Sequence, residues 1–189
     1  VTNIVDVEAL RYLHLDEGRH HNKSNPHRKN RDCVSVIILG EIKLDTTMEM
    51  LDFISDASFS DMKYSFSLKP HPACLIDIDA ISIPNLTIAS EPLDKIIDAF
   101  DIAIVAASTS AAIDAYYSDL DVIVFLGNKE LNFSPLRELS NVEFVKIDED
   151  FKFALLRLTE KLNIVKAKEK FFWVDQGLPR WRDLLTRVR

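Results

Sequence analysis

The sequence predicts an α/β fold, a three-layer α/β/α sandwich built on a parallel sheet of five to six strands. Three observations carry the prediction. Short apolar runs rich in Val, Ile and Phe recur between residues 34 and 147, as expected of strands covered on both faces. Longer amphipathic stretches with apolar residues at helical spacing lie between them. The two kinds alternate, which is the pattern of a parallel sheet flanked by helices.

The elements follow in chain order. Val34 to Leu39 is a strand by its β-branched content, and Gly40 stops it. Thr46 to Ser58 is a helix: Thr46 and Glu49 match a capping box, and Met48, Leu51 and Phe53 or Ile54 form its apolar stripe. Tyr64 to Leu68 is the second strand and runs into Lys69-Pro-His-Pro72; Leu86 to Ala89 is a short third. Ser90 is expected to cap a helix with Pro92 in its first turn, continuing through Ile96 and Ile97 toward Phe100. Ile102 to Ala106 is a buried strand, and Ser108-Thr-Ser110 opens a helix over Ala111 to Tyr117. Val122 to Leu126 and Val142 to Ile147 complete the strands, and Asp150 to Leu162 is an amphipathic helix. In a Rossmann-like sheet of this kind, ligands sit beyond the carboxyl ends of the strands, near the switch in strand order.

Composition narrows the function classes. With 189 residues, 47% of them hydrophobic, the chain can bury a core without disulfides or metals, but it is too short for two full domains of this type. No run approaches the ~20 apolar residues of a membrane helix, and the first ten residues lack the pattern of a signal peptide. Cys33 and Cys74 have no metal-ligand spacing and suit a reducing compartment. The expected location is the cytoplasm, with a peripheral position at the inner membrane face left open. Residues 32–165 hold 10 Lys or Arg against 23 Asp or Glu, whereas Arg19 to Arg31 has five bases and no acid, and Lys166 to Arg189 seven bases and three acids. An acidic body with basic ends does not fit a nucleic-acid reader, which carries positive charge along a folded face. Residues 1–32 are expected to be a linker or partly ordered segment, 33–165 the ligand-binding domain, and 166–189 a C-terminal crossover helix. The start at Val1 is expected to mark a fragment. Adjacent His20 and His21 make a poor metal site, because neighbouring side chains diverge and no third ligand is evident.

Candidate site residues are the polar groups at strand ends. Pro70 and Pro72 restrict the backbone on both sides of His71, so the imidazole is either aimed at an anion, with Lys69 adding charge, or belongs to a stiff turn whose ring packs on a neighbouring helix. Ser108, Thr109 and Ser110 place three hydroxyls beside unpaired amides at a helix start, which suits a phosphate; the plain alternative is a Ser cap on an Ala-rich packing helix. Asp114, one turn further on, either accepts from a sugar hydroxyl or faces a neighbouring helix. Gly40 and Glu41 either border the ligand or simply end the strand, and Gly127 and Asn128 have the same status. No Gly-x-Gly-x-x-Gly follows the first strand and no Gly-x-x-x-x-Gly-Lys-Ser occurs, which argues against dinucleotide and P-loop binding; no Gly-x-Ser-x-Gly supports a hydrolase triad.

In order, Lys69-Pro-His-Pro72, Glu91-Pro92-Leu93, Asp101 to Val105, Ser108 to Ala115 and Asp121 to Phe125 resemble the donor-binding C-terminal domain of GT-B glycosyltransferases. The bacterial surface-polysaccharide, sialyltransferase-like group is the nearest in flavour. The likeness covers roughly residues 33–165. It implies that His71 and Pro72 of a His-Pro motif, with Ser108, Thr109 and Ser110 of a hydroxyl motif, hold the phosphate of a nucleotide sugar such as a CMP-linked one. It implies no cofactor and no metal. The partners it implies are a nucleotide sugar, a carbohydrate acceptor and a missing N-terminal acceptor domain that supplies the catalytic base, so the chain alone is expected to be inactive. Phe171-Phe-Trp-Val174 and Leu178-Pro-Arg-Trp181 are then either an orphaned domain interface or a terminal helix packed on its own sheet, with self-association through Trp173 and Trp181 as a further outcome. The rival function is a non-catalytic flavodoxin-like interaction domain, and a third is a sugar-nucleotide epimerase-like domain.

Overall fold

A computed structural model describes residues 4–15, 33–56, 64–74, 76–77, 81, 83, 86–127, 131–146, 148–162, 169 and 172–187. The stretch Arg19 to Arg31 with its histidines, and Asn128, lie outside the described residues. Two compact units divide the chain: residues 25–165, and a terminal unit made of residues 1–24 with 166–189.

The first unit is a six-stranded, all-parallel Rossmann-like sheet flanked by helices. Its strands are β1 (Val34–Leu39), β2 (Tyr64–Lys69), β3 (Leu86–Ile88), β4 (Ile102–Ala106), β5 (Asp121–Phe125) and β6 (Glu143–Val145), in the order β3-β2-β1-β4-β5-β6. Its helices are α1 (Leu44–Asp56), α2 (Leu93–Ile96) with a 3-10 turn over Ile97–Ala99, α3 (Ala111–Tyr117) and α4 (Asp148–Lys161). Alternation along the strands builds one core layer from Val36, Ile38, Phe66, Leu68, Ile102, Ile104 and Phe125. Against it pack Met50, Leu51 and Ile54 of α1 and Phe151, Leu155 and Leu158 of α4. Ala103 and Val105 point to the other face, where α3 packs on β4 and β5 through fully buried Ala112 and Ala115. Small side chains there let the helix come close, as its sequence implied.

Local details correct three expectations about helix starts. Thr46 and Glu49 do not form a capping box, because α1 begins earlier, at Leu44, and both lie inside it. The working hydroxyl is that of Thr47, which is completely buried and ties down the β1–α1 loop through the Glu41 amide, 2.8 Å away. Ser90 does not cap α2; Pro92 takes the N-cap position with no side-chain hydrogen bond. Ser110 stands at the N-cap of α3 in a helical conformation without a side-chain cap bond. Its neighbour Thr109 instead accepts from the Ala111 amide, 3.3 Å away.

The terminal unit holds a 3-10 helix (Leu10–Leu15) and α5 (Pro179–Arg187). Residues near the two ends of the chain join through a parallel bridge between Glu8 and Trp173, with the Ala9 amide donating to the Trp173 carbonyl at 2.8 Å. Tyr12 stacks on Phe172 with ring centroids 5.0 Å apart.

Candidate functional site at the carboxyl edge of the sheet

All six strands are parallel, so their carboxyl ends share one edge. The order along that edge puts the β1 loop at the centre, with the β2 and β4 loops on either side. The switch in strand order falls between β1 and β4, where such sheets bind their ligands. The loop carrying His71 and the loop carrying Ser108 to Ser110 are therefore not adjacent. They flank Gly40, about 10 Å apart across two strand spacings.

Gly40 and the His71 loop form one packed unit. The Gly40 amide donates to the Lys69 carbonyl at 2.9 Å. A Cβ on Gly40 would lie 3.3 Å from each of the His71 nitrogen, the Lys69 carbonyl oxygen and the Pro70 Cα. The absent side chain thus serves a close approach of two backbones, which is what glycine permits. His71 opens a tight turn: its carbonyl accepts from the Cys74 amide at 2.9 Å, and its Nδ1 accepts from the Ala73 amide at 3.1 Å. A neutral imidazole whose Nδ1 is an acceptor carries its proton on Nε2, so the ring presents an N–H donor away from its own turn. The turn itself therefore fixes the orientation of the ring.

Lys69, the last residue of β2, sends its ammonium to the Ser90 carbonyl, 3.3 Å away beyond β3. One of its three donors is used there, on the side of β2 remote from β1 and β4. On the central loop the Glu41 amide is held by Thr47, and the Glu41 carboxylate accepts from the Ile42 amide at 3.3 Å. Ser108 is exposed, Thr109 and Ser110 are half-buried, and Asp114 is half-buried one turn into α3.

Two residues at this edge escaped sequence reasoning. Thr47 has no sequence signal of its own, because Thr46 beside it has the capping-box spacing. Glu49 was assigned to that box; its carboxylate instead lies 3.8 Å from the Cβ position of Gly127, at the carboxyl end of β5. Gly127 is buried with φ +65°, a conformation that favours glycine. Among the described residues no group of three or more His, Cys, Asp or Glu side chains is placed to hold a metal ion.

The aromatic residues of the terminal unit are held from within. The Glu8 carboxylate, 2% exposed, accepts from the Arg180 and Trp181 amides at 3.0 and 3.1 Å, capping α5 from the other end of the sequence. The Trp181 indole donates to the Glu8 carbonyl at 2.9 Å. Burial pushes the Glu8 carboxyl up, but the amides of Arg180, Glu8 itself and Trp181, with the Arg180 charge, outweigh it and hold the group below the usual carboxylate range. Arg180 also lies over the Trp173 ring, 3.7 Å from its centroid.

No family model and no curated protein matches this sequence. Solved structures share its fold. The GtfA/B complex aligns with a TM-score of 0.54 at 12% identity, covering 85% of this chain and 37% of that one. The glycosyltransferase SnogD from Streptomyces nogalater gives 0.54 at 10% identity, with 83% and 44% covered. The glycotransferase of kitacinnamycin gives 0.50 at 12% identity, with 74% and 40% covered. The chain therefore spans less than half the length of each of these proteins. At such identities the likeness is one of architecture: this chain has a Rossmann-like α/β fold of the kind present in those structures.

Proposed function

We propose that residues 33–165 form the nucleotide-sugar-binding domain of a metal-independent glycosyltransferase. The observation that carries this reading is the arrangement around Gly40: an oriented imidazole N–H on one side and a hydroxyl-rich loop on the other, astride the strand-order switch. His71 Nε2 and the hydroxyls of Ser108, Thr109 and Ser110 would hold the donor phosphate, with Pro72 stiffening the turn. Lys69 would add charge with the donors it has left. Glu41, Glu49 and Asp114 would accept from sugar hydroxyls at the same edge.

The chemistry asked of these groups is modest. As the acceptor oxygen bonds to the anomeric carbon, the bond from that carbon to the phosphate oxygen breaks and negative charge gathers on the leaving nucleotide. Donors already aimed at that phosphate stabilise the developing charge, a role in which fixed dipoles are effective. None of the residues described is assigned as the base that takes the acceptor proton. In this reading that group would come from an acceptor-binding domain, so residues 33–165 would bind donor and transfer nothing by themselves. A CMP-linked donor and surface-carbohydrate synthesis in the bacterial cytoplasm rest on the sequence motifs alone.

Calorimetric titration with CMP, UDP and GDP tests the reading. Binding of one of them is expected, weakened roughly tenfold or more in His71→Ala, since a hydrogen bond to a charged group contributes about 1.5–3 kcal/mol. Failure of all three to bind a folded chain would favour the interaction-domain alternative.

A further inference from the structure

The loop after β1 is fixed from both sides. On the α1 side, the Thr47 hydroxyl is completely buried; it accepts from the Glu41 amide at 2.8 Å and can give its proton to the Glu41 or the Lys43 carbonyl, at 3.4 and 3.5 Å. A hydroxyl is costly to bury without partners, so this one stays engaged with the loop. Thr47 is carried by a helix whose Met50, Leu51 and Ile54 lie in the core, which makes the anchor a rigid one. On the β2 side, the Gly40 amide donates to the Lys69 carbonyl at 2.9 Å.

Beyond Gly40 stands the turn that carries His71. Its backbone lies so close that a Cβ on Gly40 would be 3.3 Å from the His71 nitrogen and from the Pro70 Cα. Backbones packed this tightly transmit a displacement from one to the other. Pro70 and Pro72 restrict the torsions of the turn, which therefore passes that displacement on instead of absorbing it. The ring is tied to the same turn, its Nδ1 accepting from the Ala73 amide at 3.1 Å. From α1 to the imidazole, the path runs through one buried hydroxyl and then through backbone. Thr47 itself has no exposed surface that a ligand could touch.

We infer that Thr47 is a positioning residue: through Glu41 and Gly40 it sets the place of the His71 ring and keeps the ring proton on Nε2. For the ring this stands on geometry alone; for ligand binding it rests on the donor-site reading. The test compares Thr47→Val, which keeps the shape and loses the hydroxyl, with Thr47→Ser, which keeps the hydroxyl. Thr159→Val is the control, since that hydroxyl joins α4 to Tyr64, at the opposite end of β2 from His71. Nitrogen NMR of the imidazole reads the tautomer. In the wild-type protein the Nε2–H form should dominate. In Thr47→Val the two ring nitrogens should converge as both tautomers become populated, while Thr47→Ser and Thr159→Val keep the wild-type pattern. Whichever of CMP, UDP and GDP the protein binds should bind about three- to tenfold more weakly to Thr47→Val, the size of one lost hydrogen bond, and the substitution should cost nothing further in His71→Ala. Circular dichroism checks folding, and Thr47→Cys, a weaker acceptor, replaces Thr47→Val if the latter is unfolded. The inference is overturned if loss of the hydroxyl leaves the ring nitrogens as in the wild type, if it weakens binding equally with and without His71, or if Thr159→Val has the same effects. A wild-type protein that binds none of the three nucleotides, with the ring still responding to Thr47→Val, would overturn the donor-site reading and leave the positioning role standing.

Discussion

The two units of this chain are ordered by different means. In the sheet unit, Ile37, Ile38, Ile102 and Ile123 are completely buried, and hydroxyls such as that of Thr47 serve the loops. In the terminal unit a carboxylate, two amides, an indole N–H and two aromatic contacts do the corresponding work, with little apolar burial. Apolar burial is long-lived and insensitive to pH, whereas a buried carboxylate cap depends on staying ionised. The comparison teaches that the sheet unit can act as a rigid platform for a ligand while the terminal unit responds to its surroundings.

The largest expected effect tests the platform. Ile104→Ala removes a core side chain between α1, α4 and the sheet and should lower stability by about 2–5 kcal/mol, measured by denaturant unfolding followed in the far-UV. A cost below about 1 kcal/mol would mean that this layer is not close-packed.

The next prediction separates the units. Glu8→Gln keeps the shape but removes the charge that the Arg180 and Trp181 amides receive. Those two amides should exchange with solvent faster and tryptophan emission should shift red, while the far-UV melting of the sheet is unchanged. Lowering the pH should do the same. Because the folded carboxyl is held below its ordinary value, its contribution is complete above about pH 4.3 and is lost as pH falls through the folded value. A tryptophan signal flat through that acid range would contradict the account of the cap.

Smaller effects sharpen the picture of the platform. A methyl group at Gly40 must push the Lys69–His71 backbone by a few tenths of an ångström, so Gly40→Ala should cost about 1 kcal/mol in chemical denaturation and should also weaken nucleotide binding. Asp119 sits at φ +65° just after α3, and Asp119→Gly should move stability by no more than about 0.5–1 kcal/mol, in the stabilising direction if backbone strain dominates.

Much of the sheet was legible because its signal is local. β1 and β4 are runs of β-branched and small apolar residues whose ends match their strands, and the alanines of α3 mark its packing face. Helix starts were less legible where two hydroxyl residues stand side by side: Thr46 has the capping-box spacing, yet Thr47 makes the contact. At the candidate site the sequence identifies His71 and the Ser108 loop but not their relation. The separation of the two loops by β1, the packing of Gly40 on Pro70 and the turning of Lys69 toward Ser90 follow from strand order, which no local pattern encodes. The Glu8 cap lies furthest from sequence reasoning, since its partners are 172 and 173 residues away.

The central claim is that the carboxyl edge around Gly40 binds a nucleotide sugar through loops on both sides of β1. Amide chemical-shift mapping with CMP, UDP and GDP tests it most directly. The account predicts that one nucleotide, at up to millimolar concentration, shifts Gly40, Glu41, His71 and Ser108 to Ser110 together, with the opposite strand ends near Ser35 and Asp101 unmoved. Shifts confined to the terminal unit, or none at all, would contradict it.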